Sequence, residues 1–122
     1  MLIDTDIIVD VLRNEPKAKL FIDKQVSPTI SVITEMELLI GCRNKTEQNK
    51  LDRFLARFTI VELDERICKS GISLLKNYSL SHGLRIPDAL IAATSLELGS
   101  EIATRNIRDY RFIKGLKLFD YQ

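Results

Sequence analysis

The sequence predicts an α/β protein: a three-layer α/β/α domain around a parallel five-stranded sheet. Three observations predict it. Short apolar or β-branched runs alternate with helical stretches in the order βαβα, which argues a parallel sheet covered on both faces. The chain opens on Leu2-Ile3-Asp4-Thr5-Asp6, a short strand that stops at an acid and runs straight into a helix, the first half of a βαβ unit. Five such strand runs with their crossovers fit within 122 residues, the size of one domain, taken as residues 1–122.

The elements follow in order. Apolar residues at 7, 8, 11 and 12 form one helical face behind the opening strand. Asn14-Glu15-Pro16 is a turn, and Pro16 suits the first position of a second helix, amphipathic through Ala18, Phe21 and Ile22. Ser27-Pro28 ends it. Thr29 to Ile33 reads as strand two. A helix over Glu35–Gly41 follows, and Thr34-x-x-Glu37 has the form of a capping box. Asn44 to Phe58 reads as another helix or helix pair, with Leu51, Phe54, Leu55 and Phe58 as its apolar face. Thr59 to Leu63 is strand three, and Asp64 caps a long helix whose face is Ile67, Cys68, Gly71, Ile72, Leu75 and Tyr78. Ser79 to Arg85 reads as a loop. Pro87 opens the most apolar helix and Gly99 closes it. Glu101 to Thr104 is strand four. Loop and short helix lead to Leu116–Phe119, a fifth strand at an edge.

Composition excludes several classes. No apolar run approaches 18 residues, so no membrane span is expected. The opening residues lack a basic stretch followed by an apolar one, so no signal peptide is read and the expected compartment is the cytoplasm. Cys42 and Cys68 lie far apart without a metal-type spacing and are read as reduced, partly buried thiols; His82 is read as a loop histidine. Net charge is +1, so bulk charge does not announce a nucleic acid. Arg105, Arg108, Arg111, Lys114 and Lys117 recur every three residues, either as a solvated face or as a phosphate-contacting stripe.

Four acids carry the chemistry. Each has an ordinary reading: Asp4 as a helix cap, Glu37 in the capping box, Asp88 in a first turn, Asp109 in a polar loop. Taken together they fall at the carboxyl ends of parallel strands, where open sheets bind ligands. Carboxylates gathered at one spot repel unless cations balance them. All-oxygen ligation selects Mg²⁺ or Mn²⁺, and two such ions about 3.5–4 Å apart cleave phosphodiesters.

At this point four stretches resemble one family. They are Leu2-Ile3-Asp4-Thr5-Asp6-Ile7-Ile8, residues 30–41 from Ile30 to Gly41, Ile86-Pro87-Asp88-Ala89-Leu90-Ile91-Ala92-Ala93, and Thr104-Arg105-Asn106-Ile107-Arg108-Asp109-Tyr110. In that order and spacing the chain resembles the PIN-domain ribonucleases, more narrowly the VapC toxins of toxin–antitoxin pairs. The resemblance implies a PIN-like fold and a metal-dependent endoribonuclease neutralised by a cognate antitoxin, often as a homodimer. It implies an acidic quartet of Asp4, Glu37, Asp88 and Asp109, with Asp4 and Asp88 as metal ligands and Glu37 holding a metal-bound water or a second ion. The fourth acid varies across the family, which leaves Asp109 open. Thr5, Asp6, Thr34, Thr104 and Asn106 would orient carboxylates or water. Arg105, Arg108, Arg111 and Lys114 would meet RNA phosphates. Tyr110 stands where Phe is common, a mild change with no catalytic effect expected. Phe21, Met36 and Leu39 are candidate partner contacts, with core packing as the other reading.

Two other functions compete. Asp4-Thr5-Asp6 resembles the DxD of aspartyl-nucleophile phosphatases, but no Lys at a strand end completes that site. A non-catalytic Mg²⁺-binding α/β module, of receiver-like type or as a PIN-like domain that binds RNA uncut, is the third reading.

Overall fold

The computed structural model describes residues 1–121. Five strands, β1 (Leu2–Ile3), β2 (Thr29–Ser31), β3 (Thr59–Val61), β4 (Ile102–Ala103) and β5 (Leu118–Phe119), form one sheet in the order β3-β2-β1-β4-β5, every pair parallel. Six helices surround it: α1 (Thr5–Leu12), α2 (Pro16–Asp23), α3 (Val32–Ile40), α4 (Lys45–Leu55), α5 (Glu65–His82) and α6 (Ile86–Leu98). A 3-10 turn spans Ile107–Asp109. The expected three-layer architecture is therefore present, and β5 is an edge strand as expected.

Alternation along the central strands divides the core. Ile3 and Ala103 point to one face, where α1, α2 and α4 bury Ile7, Ile8, Val11, Ile22, Leu51 and Leu55. Leu2 and Ile102 point to the other, covered by α5 and α6 through Ile67, Leu74, Ile91 and Ala92. All four strand residues are fully buried, as a sheet sandwiched between helices requires. Helix α6 lies deepest: every residue from Ile91 to Ser95 is buried. Its polar members find partners inside, Thr94 Oγ1 donating to Leu90 O and Ser95 Oγ to Ser100 O.

Several boundaries differ from the sequence reading. Strand β2 ends at Ser31, which itself caps α3 by accepting from Ile33 N at 3.0 Å. Thr34 and Glu37 are therefore both inside the helix, not a capping box. Helix α5 runs on through Ser79 to His82 and stops at Gly83, which takes the left-handed conformation (φ 68°) open to glycine. Its buried face carries Ile67, Gly71 and Leu74, while Ile72 and Cys68 are exposed. Cys42 is half-buried and both cysteines are free thiols. His82 is not a loop residue but the last helical one, stacked on Phe112 with centroids 4.2 Å apart. No helix among the described residues is long and apolar enough to cross a membrane.

Candidate active site at the carboxyl edge of the sheet

Because every strand is parallel, all carboxyl ends share one edge. Asp4 leaves β1, the central strand, and caps α1. Six residues beyond β2, Glu37 lies in the second turn of α3, on the same face as Thr34. Asp88 sits in the first turn of α6, and Asp109 ends the 3-10 turn beyond β4.

Asp4 is the best-held of the acids and is 5% exposed. Its Oδ1 accepts from Thr5 N at 2.9 Å and from the Tyr110 hydroxyl at 3.2 Å; its Oδ2 accepts from Thr104 Oγ1 at 2.8 Å. The same Tyr110 hydroxyl reaches Asp88 Oδ1 at 3.3 Å. On the other side, Thr5 Oγ1 donates to Glu37 Oε1 at 2.7 Å and lies 2.9 Å from Thr34 Oγ1, which is buried. Asp6 Oδ2 takes Arg105 N at 2.9 Å and Thr104 Oγ1 at 3.3 Å, while Asp6 Oδ1 is buried with no partner.

Charge is badly compensated here. Burial, with Asp6 and Asp88 nearby, pushes the Asp4 carboxyl up to about 7. Burial also raises Asp6. Asp88 is raised by burial, then by Asp109, and further by Glu37. These mutual effects bring Asp4, Asp6, Glu37, Asp88 and Asp109 into one electrostatic neighbourhood. Burial and the adjoining Asp4 and Asp88 hold the Tyr110 proton in place well above the ordinary phenol range, so the hydroxyl is a permanent donor.

Among the described residues, no three acidic, histidine or cysteine side chains stand close enough, as placed, to close around an ion. Two observations nevertheless suit a hard cation. The donor set is all oxygen, and burial with the neighbouring acids outweighs the pull of Arg85 on Asp88 and of Arg105 on Asp6. Asp6 Oδ1 is also a buried acceptor without a donor. Of the other acids, Asp88 is half-buried and Asp109 exposed.

The other expected residues fall out unevenly. Thr5, Thr34, Thr104 and Asp6 all touch the acids or one another. Asn106 joins only through its backbone N–H, which donates to Thr104 Oγ1 at 3.0 Å. Arg105 is committed elsewhere: its Nε pairs with Asp10 Oδ2 at 2.9 Å, tying the loop after β4 to α1. Arg108, Arg111 and Lys114 are exposed beside Asp109. Phe21 and Leu39 pack against the core, and Phe21 meets Tyr121 edgewise and Phe119 at a tilt of 44°. Met36 is half-exposed, contrary to a core reading. The Tyr110 hydroxyl is the member that sequence reasoning missed. An aromatic beside a loop acid reads as packing, and only the polar oxygen that distinguishes it from Phe hinted otherwise.

An all-parallel α/β domain with acids gathered at the carboxyl edge of its sheet defines the class of protein to compare with. The family model described as PIN domain matches residues 1–114. Ribonuclease VapC19 of Mycobacterium tuberculosis is 32% identical over 121 residues, covering 95% of this chain and 96% of that protein. A toxin–antitoxin complex from Klebsiella pneumoniae contains a chain 29% identical with TM-score 0.80, over 94% of this chain and 93% of that one. VapBC2 from Rickettsia felis, solved bound to a DNA fragment from its promoter, matches at 26% identity and TM-score 0.81, over 97% and 96%. The chain belongs to the PIN-domain family and, within it, to the VapC ribonucleases.

Proposed function

We propose that this chain is a metal-dependent endoribonuclease toxin in which Asp4, Glu37, Asp88 and Asp109 form the active site. The observation that supports it is the convergence of the four acids, carried by four different elements, at one sheet edge, where burial and mutual repulsion raise Asp4 and Asp88. Asp4 and Asp88 would hold Mg²⁺ or Mn²⁺. A cation bound there would supply a water of lowered pKa and offset charge on the scissile phosphate. The chain's own residues do the rest. Three donors fix Asp4 and leave one lone pair on Oδ2 open. Glu37, oriented by Thr5, would hold a metal-bound water or a second ion. Asp109, near enough to Asp88 to raise its carboxyl, would complete the ligand set. Arg108, Arg111 and Lys114 hold flanking phosphates of the RNA; Arg105, paired with Asp10, instead braces the loop that carries Thr104.

The same reading makes residues 1–122 a single nuclease domain of the cytoplasm, a homodimer, with a cognate antitoxin that silences it. The Klebsiella and Rickettsia relatives, solved as toxin–antitoxin and VapBC assemblies, support that partner. The test is RNA cleavage with Mg²⁺ or Mn²⁺, with EDTA, and in Asp4→Asn and Asp88→Asn. Cleavage is expected only with wild-type protein and metal; undiminished cleavage in either variant refutes the assignment. Growth arrest on induction, relieved by the neighbouring reading frame, tests the antitoxin.

A further inference from the structure

We propose that the Tyr110 hydroxyl is a positioning residue for the metal site, a strap that fixes Asp4 and Asp88 relative to each other. The proposal rests on the reading that these two acids bind the ion. Tyr110 is 1% exposed, and its ring packs in the core with α5 and α6. Its backbone is pinned as well: Tyr110 N donates to Ile107 O at 3.1 Å, and Ile113 N donates to Tyr110 O at 3.0 Å. The phenol oxygen therefore has no freedom to follow a moving carboxylate; the carboxylates follow it.

One O–H faces two acceptors, Asp4 Oδ1 at 3.2 Å and Asp88 Oδ1 at 3.3 Å. Near-equal, long contacts of this kind are a three-centre bond, shared and not owned by either acid. Lone-pair accounting shows what the strap leaves open. Asp4 Oδ1 is filled by Thr5 N and Tyr110, while Oδ2 takes only Thr104 and keeps one acceptor site. Asp88 is held through Oδ1, and its Oδ2 has no partner among the described residues. Each acid is thus tied by one oxygen and free at the other, the arrangement in which an outer donor orients a ligand without competing for the metal. Asp4 would stay ordered without Tyr110, because Thr5 and Thr104 remain. Asp88 would not: the hydroxyl is its sole hydrogen-bond donor among the described residues. The strap's main effect falls on Asp88.

Tyr110→Phe removes the oxygen and keeps the ring, so packing is preserved and folding can be checked by circular dichroism melts of metal-free protein. Mn²⁺ binding is read by the electron paramagnetic resonance signal of free Mn²⁺ for wild type, Tyr110→Phe and Asp88→Asn. We expect roughly tenfold weaker Mn²⁺ binding in Tyr110→Phe, an unfolding midpoint close to wild type, and RNA cleavage that recovers at saturating Mn²⁺. Asp88→Asn should lose Mn²⁺ binding. Binding by Tyr110→Phe equal to or tighter than wild type, with Asp88→Asn defective, overturns the strap and leaves the metal ligands standing. Wild-type-like binding by Asp88→Asn overturns both.

Discussion

Replacing Asp4 by Asn should make the metal-free protein more stable while destroying its activity. The structure gives the size. Asp4 is buried and its carboxyl is pushed from 3.8 up to about 7, chiefly by burial and then by Asp6. Between those values the folded chain keeps a proton that the unfolded chain has released, so stability falls as pH rises and the loss is complete above about 7. About three pKa units at ~1.4 kcal/mol each give an upper figure of roughly 4 kcal/mol. An amide still costs something to bury, which lowers the expected gain to about 2–4 kcal/mol. The amide is also satisfiable: its oxygen in the Oδ1 position keeps Thr5 N and Tyr110, and its nitrogen in the Oδ2 position donates to Thr104 Oγ1. Thr104 can then turn its own proton to Asp6 Oδ2. For a domain of this size the gain corresponds to a midpoint roughly 10 °C higher. The assay is thermal unfolding of EDTA-dialysed wild type and Asp4→Asn from pH 4 to pH 8. The gap should be widest at pH 8 and close toward pH 4. A variant no more stable than wild type at pH 8, or a gap that does not change with pH, refutes the argument that charge burial dominates at Asp4.

Other outcomes follow from the same geometry. Thr104→Val should destabilise by about 1–3 kcal/mol, since it strips a donor from Asp4 and Asp6 and leaves Asn106 N–H without its acceptor; urea titration measures this, and cleavage should fall with it. Saturating Mn²⁺ should abolish or reverse the decline of wild-type stability between pH 4 and pH 7, because a cation favours the ionised acids; a melt series with and without metal checks it. Arg111→Glu combined with Lys114→Glu should raise the RNA KM several-fold and flatten its salt dependence with little change in kcat, read from cleavage at two ionic strengths. Gly99→Ala should cost about 1 kcal/mol, because Gly99 caps α6 at φ 64°, and should leave cleavage intact.

The fold was legible because strand and helix alternate cleanly and because Pro16, Asp64, Pro87 and Gly99 stand where helices start or stop. What was misplaced was misplaced for local reasons. The β-branched run Thr29–Ile33 hides a helix start inside it, and Ser31 rather than Thr34 is the cap. Ser79 to His82 offers only one apolar residue, Leu80, which is exposed, yet the helix continues until Gly83 supplies a left-handed exit. The four acids were legible because a parallel sheet sends all its carboxyl ends to one edge. Their connecting bonds were not. Tyr110 reaches Asp4 across 106 positions and Arg105 pairs with Asp10 across the same sheet edge, and no local pattern encodes such pairs.

The central place of β1 has a consequence for the life of the chain. Asp4 is synthesised well before its holding partners Thr104 and Tyr110, which lie 100 and 106 positions later. Its strand is flanked on one side by β4, which is also late. Closing so long a loop is slow compared with forming local helices. A growing chain can therefore build α1 to α5 and still lack the floor of its cleft. Asp4 gains its hydroxyl donors, and Asp109 joins the other acids, only when residues 102–110 dock beside β1.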